Sequence, residues 1–180
     1  MLPRARFEEE VLPHLDAGYN LARWLARDVH DADDVVQEAC VRALRYIDSL
    51  RPGGARSWFL TIVRHAYYDW CRANRPAELV HDAQDLLETM ADPVAAVDPE
   101  LSALTKADAC TLAETVDSLP LPLREALVLR ELEELSYKEI AQIQGVPIGT
   151  VMSRLARARA SLQERSRQIK ISRKSASGRV

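Results

Sequence analysis

At 180 residues the chain has room for one domain or two small ones, and 47% hydrophobic residues are enough to build a core. Its 24 basic and 27 acidic side chains leave a net charge of −3, which excludes a protein that coats nucleic acid through bulk charge. No apolar run is long enough to span a bilayer, and the N-terminal MLPRARFEEEV lacks the apolar core of a signal peptide, so a cytoplasmic protein without membrane insertion is expected.

The charge is unevenly placed. Between Arg75 and Lys106 there is no Lys or Arg, while seven carboxylates lie there: Glu78, Asp82, Asp85, Glu88, Asp92, Asp98 and Glu100. From Arg154 onward the balance reverses, and Glu164 is the only acidic side chain among many Arg and Lys. Cys40, Cys71 and Cys110 are far apart, make no metal-ligand spacing and sit in helical patterns. They read as buried free thiols in a reducing compartment.

In chain order, residues 7–27 are helical in pattern, with Phe7, Val11, Leu15, Leu21 and Leu25 as the apolar stripe and Pro13 and Gly18 as candidate breaks. Residues 28–31 form a turn. Asp31 or Asp33 is then expected to cap the helix DADDVVQEACVRALRYIDSL. Its inward side is Val35 or Val36, Ala39, Ala43, Leu44 and Ile47, which leaves Asp33, Asp34, Gln37, Glu38 and Arg42 largely outside. The loop RPGG at 51–54 follows, and Ser57 is expected to cap a helix ending near Asn74, before Pro76.

That helix, SWFLTIVRHAYYDWCRAN, has two distinct sides. Phe59, Ile62, Val63, Ala66 and Trp70 cluster on one; Thr61, Arg64, His65, Tyr68 and Arg72 cluster on the other, with Trp58 and Asp69 at the border. Exposed rings among cations suit an unpaired strand, because rings stack on bases at roughly 1–3 kcal/mol each and Arg neutralises phosphate. An amphipathic helix whose Tyr and Arg are simply solvated has the same wheel. His65 has no second ligand at helical spacing, so no metal site is expected, and no cofactor motif is present.

Residues 77–105 read as an acidic linker between two helical domains. The second domain opens with helices at 106–119 and 123–134, the latter carrying Arg124 and Glu125 in its first turn. Then comes SYKEIAQIQGVPIGTVMSRLARARASL. Ser136 and Glu139 make a capping box, Gly145 supplies a left-handed residue, and Pro147 stops the helix. A second helix starts near Ile148 with Val151, Leu155, Ala158 and Leu162 as its apolar stripe. Gly149, Ser153, Ala156, Arg157 and Ala160 fall opposite, with Met152 at the edge: small residues plus Arg on an exposed side, as a helix entering the major groove requires. A solvated helical hairpin is the plainer alternative. Beyond about Ser166 the basic, Ser-rich tail is expected to fray. No strand is expected. The fold class is all-α, in two small units at 1–76 and 106–166, joined by the linker at 77–105 and followed by a tail at 167–180.

Three stretches therefore stand in one order: DADDVVQEACVRAL, ARSWFLTIVRHAYYDWCR and LPLPLREALVLRELEELSYKEIAQIQGVPIGTVMSRLARARASL. Together they closely resemble the extracytoplasmic-function (group IV) sigma factors of the sigma-70 family. The resemblance covers about 11–75 and 109–165. It implies a protein with no catalytic chemistry of its own that binds core RNA polymerase, directs it to a promoter and helps melt the start site. By position it implies that Asp33, Asp34, Gln37, Glu38 and Arg42 meet the clamp coiled coil of the polymerase's largest subunit, with the C-terminal unit on the beta flap. It implies that Trp58, Thr61, Arg64, His65, Tyr68 and Arg72 hold the unpaired minus-ten strand. Many relatives carry Asn where His65 stands, which leaves the identity of the flipped base open. Lys138, Gly149, Thr150, Met152, Ser153, Arg154, Ala156, Arg157 and Arg159 would face minus-thirty-five duplex. Met152 and Ala156 stand where relatives often have basic or larger residues, so base reading falls to Ser153 and Arg157, and Lys138, Arg154 and Arg159 suit phosphates. An anti-sigma factor is implied as regulator. A free-standing helix-turn-helix regulator would leave the aromatic–Arg helix and acidic helix without a role. A sigma-like decoy would ordinarily carry an extra domain. An enzyme lacks a phosphate loop, metal cluster or nucleophile motif.

Overall fold

The computed structural model describes residues 3–77, 79 and 113–177, with side chains as far as 168. Most of the predicted linker, the helix expected over 106–119 up to residue 112, and Cys110 lie outside the described residues. Among the described residues every regular element is helical. The order is α1 (Pro3–Glu10), a 3-10 turn (Leu12–His14), α2 (Leu15–Ala26), α3 (Val29–Arg45), a second 3-10 turn (Ile47–Ser49), α4 (Ala55–Asn74), α5 (Leu121–Glu131), α6 (Tyr137–Gln144) and α7 (Ile148–Ser177). Residues 113–117 are also helical.

The first stripe is divided at Pro13, which sits inside the 3-10 turn, but not at Gly18, which lies buried inside α2. Its reason is space. A Cβ built on Gly18 would come 2.5 Å from Cε1 of Phe59, so only a bare Cα lets α4 lie this close to α2. Helix α2 ends on Arg27, held at φ 61°, and Asp28 begins α3 at once. The Asp28 carboxylate accepts from the N–H groups of His30 and Asp31, so it is the cap where Asp31 or Asp33 was expected. Those bonds hold its carboxyl below the usual carboxylate range. Helix α4 starts at Ala55, with Gly54 at the N-cap position and no side-chain cap; Ser57 is already inside it, and its hydroxyl reaches Glu139 Oε1 at 3.4 Å instead.

Helices α2, α3 and α4 pack around Leu21, Leu25, Val35, Ala39, Phe59, Leu60, Val63 and Tyr67. Each Leu or Phe buried there contributes about 1.5–3 kcal/mol. Arg6 of α1 ties down the end of the corner, donating to the carbonyls of Ile47 (3.1 Å), which also accepts the Leu50 N–H, and Leu50 (2.7 Å). Three inward assignments are corrected. Leu44 is 42% exposed, and the buried side of α4 is carried by Leu60, Tyr67 and Cys71 rather than by Ile62 and Trp70, which are only partly covered.

In the C-terminal unit α5 begins at Leu121 with Pro122 in its first turn, where a missing N–H costs nothing. It ends at Glu131 rather than near Glu134, which takes φ 52° in the turn to α6. The capping box at Ser136–Glu139 and the left-handed Gly145 (φ 66°) form as the sequence predicts. Helix α7 buries Val151, Leu155 and Ala158 and stays helical to Ser177, past the point where fraying was expected. The apolar core does not stop between the two units: Leu121, Ala126, Leu129, Ile140 and Ile143 belong to the same cluster as the side chains of α2 and α4.

Candidate nucleic-acid interface

Three faces carry the residues singled out by the sequence. The first is α3. Asp34, Gln37 and Glu38 are exposed there and Asp33 is half-buried. Arg42 donates from Nε to Glu38 (2.7 Å) and from NH1 to Asp69 of α4 (2.6 Å), while the other Asp69 oxygen accepts from Arg72 (2.6 Å). Arg42 chiefly, through that bond, keeps the Asp69 carboxyl below its ordinary value. The chain of charges fixes the exposed edge of α3 against α4. Beside the carboxylates stand Val41 (52% exposed) and Leu44 (42% exposed), two apolar side chains on a water-facing surface. The sequence reading missed them as surface residues. The signal was available, because Val41 falls four residues after Gln37 and shares its side of the wheel.

The second face is α4. His65 and Arg72 are open to solvent; Trp58 and Thr61 line a shallow cleft toward Glu139 and Gln142 of α6. The Thr61 hydroxyl donates to its own helix at Ser57 O (2.7 Å). Burial first, and then the charge of Arg64, hold the His65 imidazole below its ordinary pKa, so it is the neutral ring that this face presents near neutral pH. Arg64 and Tyr68 are placed differently. The Arg64 guanidinium lies 4.5 Å over the Tyr68 ring, its Nε donates to Glu125 of α5, and the Tyr68 hydroxyl donates to the same carboxylate at 3.3 Å. Burial raises the Tyr68 phenol and the Glu125 carboxyl above their usual values, against the pull of Arg64.

The third face is α6–α7. Lys138, Gly149 and Met152 are exposed, Met152 at 54%, and Thr150, Ala156 and Arg157 are partly covered. The Ser153 hydroxyl donates to Thr150 O at 2.9 Å. Arg154 turns inward: its NH1 donates to Gln144 Oε1 (2.9 Å), and burial lowers its pKa while the Glu125 charge opposes that shift. Arg159 pairs with Glu131 at 2.6 Å, which holds its pKa up. The structure thus brings Lys138, Gly149, Met152 and the edge of Arg157 to one surface, and spends Arg154 and Arg159 on contacts within the C-terminal unit. The sequence placed Arg124 and Glu125 in a first helical turn without singling them out; both are fully buried. Among the described residues no group of His, Cys, Asp and Glu is placed to hold a metal ion, and no helix is long and apolar enough to cross a membrane.

Comparison with known proteins gives consistent matches. Residues 11–76 match the family model of sigma-70 region 2 and residues 111–162 that of sigma-70 region 4. The ECF RNA polymerase sigma factor SigE of Mycolicibacterium smegmatis is 33% identical over 160 residues, covering 88% of this chain and 60% of that protein. The ECF RNA polymerase sigma-E factor of Escherichia coli is 36% identical over 140 residues, covering 75% of this chain and 73% of that one. Among solved structures, the sigma factor RpoE from Bartonella quintana, in complex with the anti-sigma factor NepR, aligns with a TM-score of 0.68 at 30% identity. That alignment covers 89% of this chain and 96% of the other. CnrH in complex with the cytosolic domain of CnrY aligns with a TM-score of 0.59 at 27% identity, over 88% and 85% of the two chains.

Proposed function

This chain belongs to the extracytoplasmic-function RNA polymerase sigma factors of the sigma-70 family, and on that premise we propose that it joins core RNA polymerase and directs it to promoters through two DNA elements. The observation that carries the reading is the order of the two matched regions, each lying on its own set of helices with a polar face turned outward. The units are 1–76 and 106–166, with 77–105 as the acidic connection and 167–180 as a basic extension.

Asp33, Asp34, Gln37, Glu38 and Arg42, with Val41 and Leu44 beside them, dock on the clamp coiled coil of the largest subunit. A mixed face of carboxylates around apolar side chains supports this, since a basic helical partner would pair the rim and bury the centre. The α6–α7 unit rests on the beta flap and reads minus-thirty-five duplex. Met152 and Ala156 offer apolar contacts to thymine methyls, and Ser153 and Arg157 offer hydrogen bonds to base edges. Trp58, Thr61, Arg64, His65, Tyr68 and Arg72 hold the melted minus-ten strand. The protein acts in the cytoplasm and carries no chemistry of its own; the polymerase makes the bonds. An anti-sigma factor controls it, as the bound partners of the two solved relatives suggest.

Assembly tests the reading. Asp34→Arg reverses one exposed charge on α3 and is expected to weaken the complex with purified core polymerase at least about ten-fold. Duplex binding by the same chain through α7 stays at the parental level. Equal polymerase affinity in parent and variant removes this face from the docking site.

A further inference from the structure

His65, Asp69 and Arg72 recur at steps of four and three, so they share one side of α4. Three guanidinium groups surround the His65 ring, Arg64 and Arg72 from α4 and Arg42 from α3, against one carboxylate, Asp69. That carboxylate is already engaged at both oxygens. One accepts from Arg42 and the other from Arg72, each at 2.6 Å. Arg42 is held in turn by Glu38 at 2.7 Å. An imidazolium at this place would join three cations whose one opposing charge is spent on two of them. Like charges nearby disfavour the charged form, and so does burial. Burial first, and then Arg64, keep the ring below its ordinary pKa. Asp69 opposes them and stays ionised through the neutral range, because Arg42 holds its carboxyl low.

A single strand reverses the sign of these surroundings. Its phosphates bring negative charge to the cations, and its base edges bring acceptors. A neutral imidazole has one N–H to offer them; an imidazolium has two, and a charge. We propose that His65 is a proton-linked cation of the strand face: neutral in the free chain, it takes up a proton as the single strand binds, so that acidification tightens the hold on melted DNA. This rests on the single-strand role given to α4 above. The coupling is reciprocal. A strand that favours the protonated ring is favoured by it to the same extent, and one proton gained on binding raises affinity by up to about ten-fold for each pH unit of acidification. An Asn in the same place has a donor and an acceptor but no proton to gain, so the dependence comes from this chain's own residue.

The test uses the full chain assembled with purified core polymerase, beside His65→Asn and His65→Lys in the same assembly. Affinity for a tetramethylrhodamine-labelled single-stranded DNA of randomised sequence is read by anisotropy across a pH series, with core polymerase alone as the reference. The proton link predicts that the parent tightens, relative to His65→Asn, at least about five-fold between about pH 8 and about pH 6. Lys stays protonated throughout that range, so the His65→Lys profile runs parallel to that of His65→Asn. A ring that only packs would shift affinity by one factor at every pH. Parallel profiles for the parent and His65→Asn therefore overturn the link and leave the strand role of α4 in place. A parent that loosens relative to His65→Asn on acidification overturns it as well. Strand affinity no greater than that of core polymerase alone, at every pH, overturns the assignment of α4 and the link with it. Should His65→Lys fail to fold, His65→Asn alone decides.

Discussion

His65 is the exposed residue of α4 whose charge changes nearest neutral pH. Facing it are Arg64, Arg42 and Arg72, with Asp69 as the opposing carboxylate. Its folded pKa lies below the ordinary 6.5, so the unfolded chain takes up a proton first as the solution is acidified. Stability contributed by the neutral ring is therefore present above that window and lost as pH falls through it. His65→Asn cannot titrate. Its urea midpoint should change less than the parent's between about pH 7.5 and about pH 5.5, and an identical change in both proteins would remove His65 from the acid response. Arg157 offers a second test. Its Nε is buried without a hydrogen-bond partner among the described residues, as is that of Arg154, but Arg154 and Arg159 are held by Gln144 and Glu131 through their other nitrogens. Arg157→Ala should weaken minus-thirty-five binding by about 1–3 kcal/mol and relax preference at one base position. An unchanged base preference would show that Arg157 only positions the helix. At this scale the sequence was legible where partners are near neighbours: Ser136 and Glu139 bond across one helical turn. It was silent where they are distant, as for Glu125 and Arg64, 61 residues apart.

Helix α2 against α4 shows what an element needs beyond its stripe. A glycine inside a helix is usually unfavourable by about 0.5–1 kcal/mol relative to Ala. At Gly18 the balance reverses, because the added methyl would strike the buried ring of Phe59. Gly18→Ala should lower stability by about 1–3 kcal/mol, as overpacking does. A raised urea midpoint would mean that the two helices separate easily. The apolar periodicity identified both helices, yet it made Gly18 a candidate break, since propensity sees the chain and not the ring packed on it. Caps failed for a related reason. Asp28, Asp31 and Asp33 all have the chemistry to cap α3. Which one does so is set by where α2 stops, and it stops on Arg27 in a left-handed conformation that no glycine announced. Leu44 was read as inward because it is apolar. A surface built to receive another protein exposes such side chains, so this error falls on the proposed docking face.

On the scale of the molecule, the two helical units and their order were evident from composition: an acidic interval without Lys or Arg between two amphipathic regions. Their mutual packing was not. Periodicity shows that a face is apolar without saying which face covers it, and α5 is buried on more sides than a single stripe requires. Both Arg124 and Glu125 lie within that contact, which their first-turn position did not disclose.

The central claim is that the chain lends sequence preference to an enzyme that lacks it, by reading one melted and one paired block of the same DNA. Transcription in vitro on fragmented genomic DNA, with purified core polymerase and with or without the chain, tests it most directly. The account predicts new start sites that appear only when the chain is present, each preceded by the same two sequence blocks at constant spacing. A start-site map identical to that of core polymerase alone would contradict it.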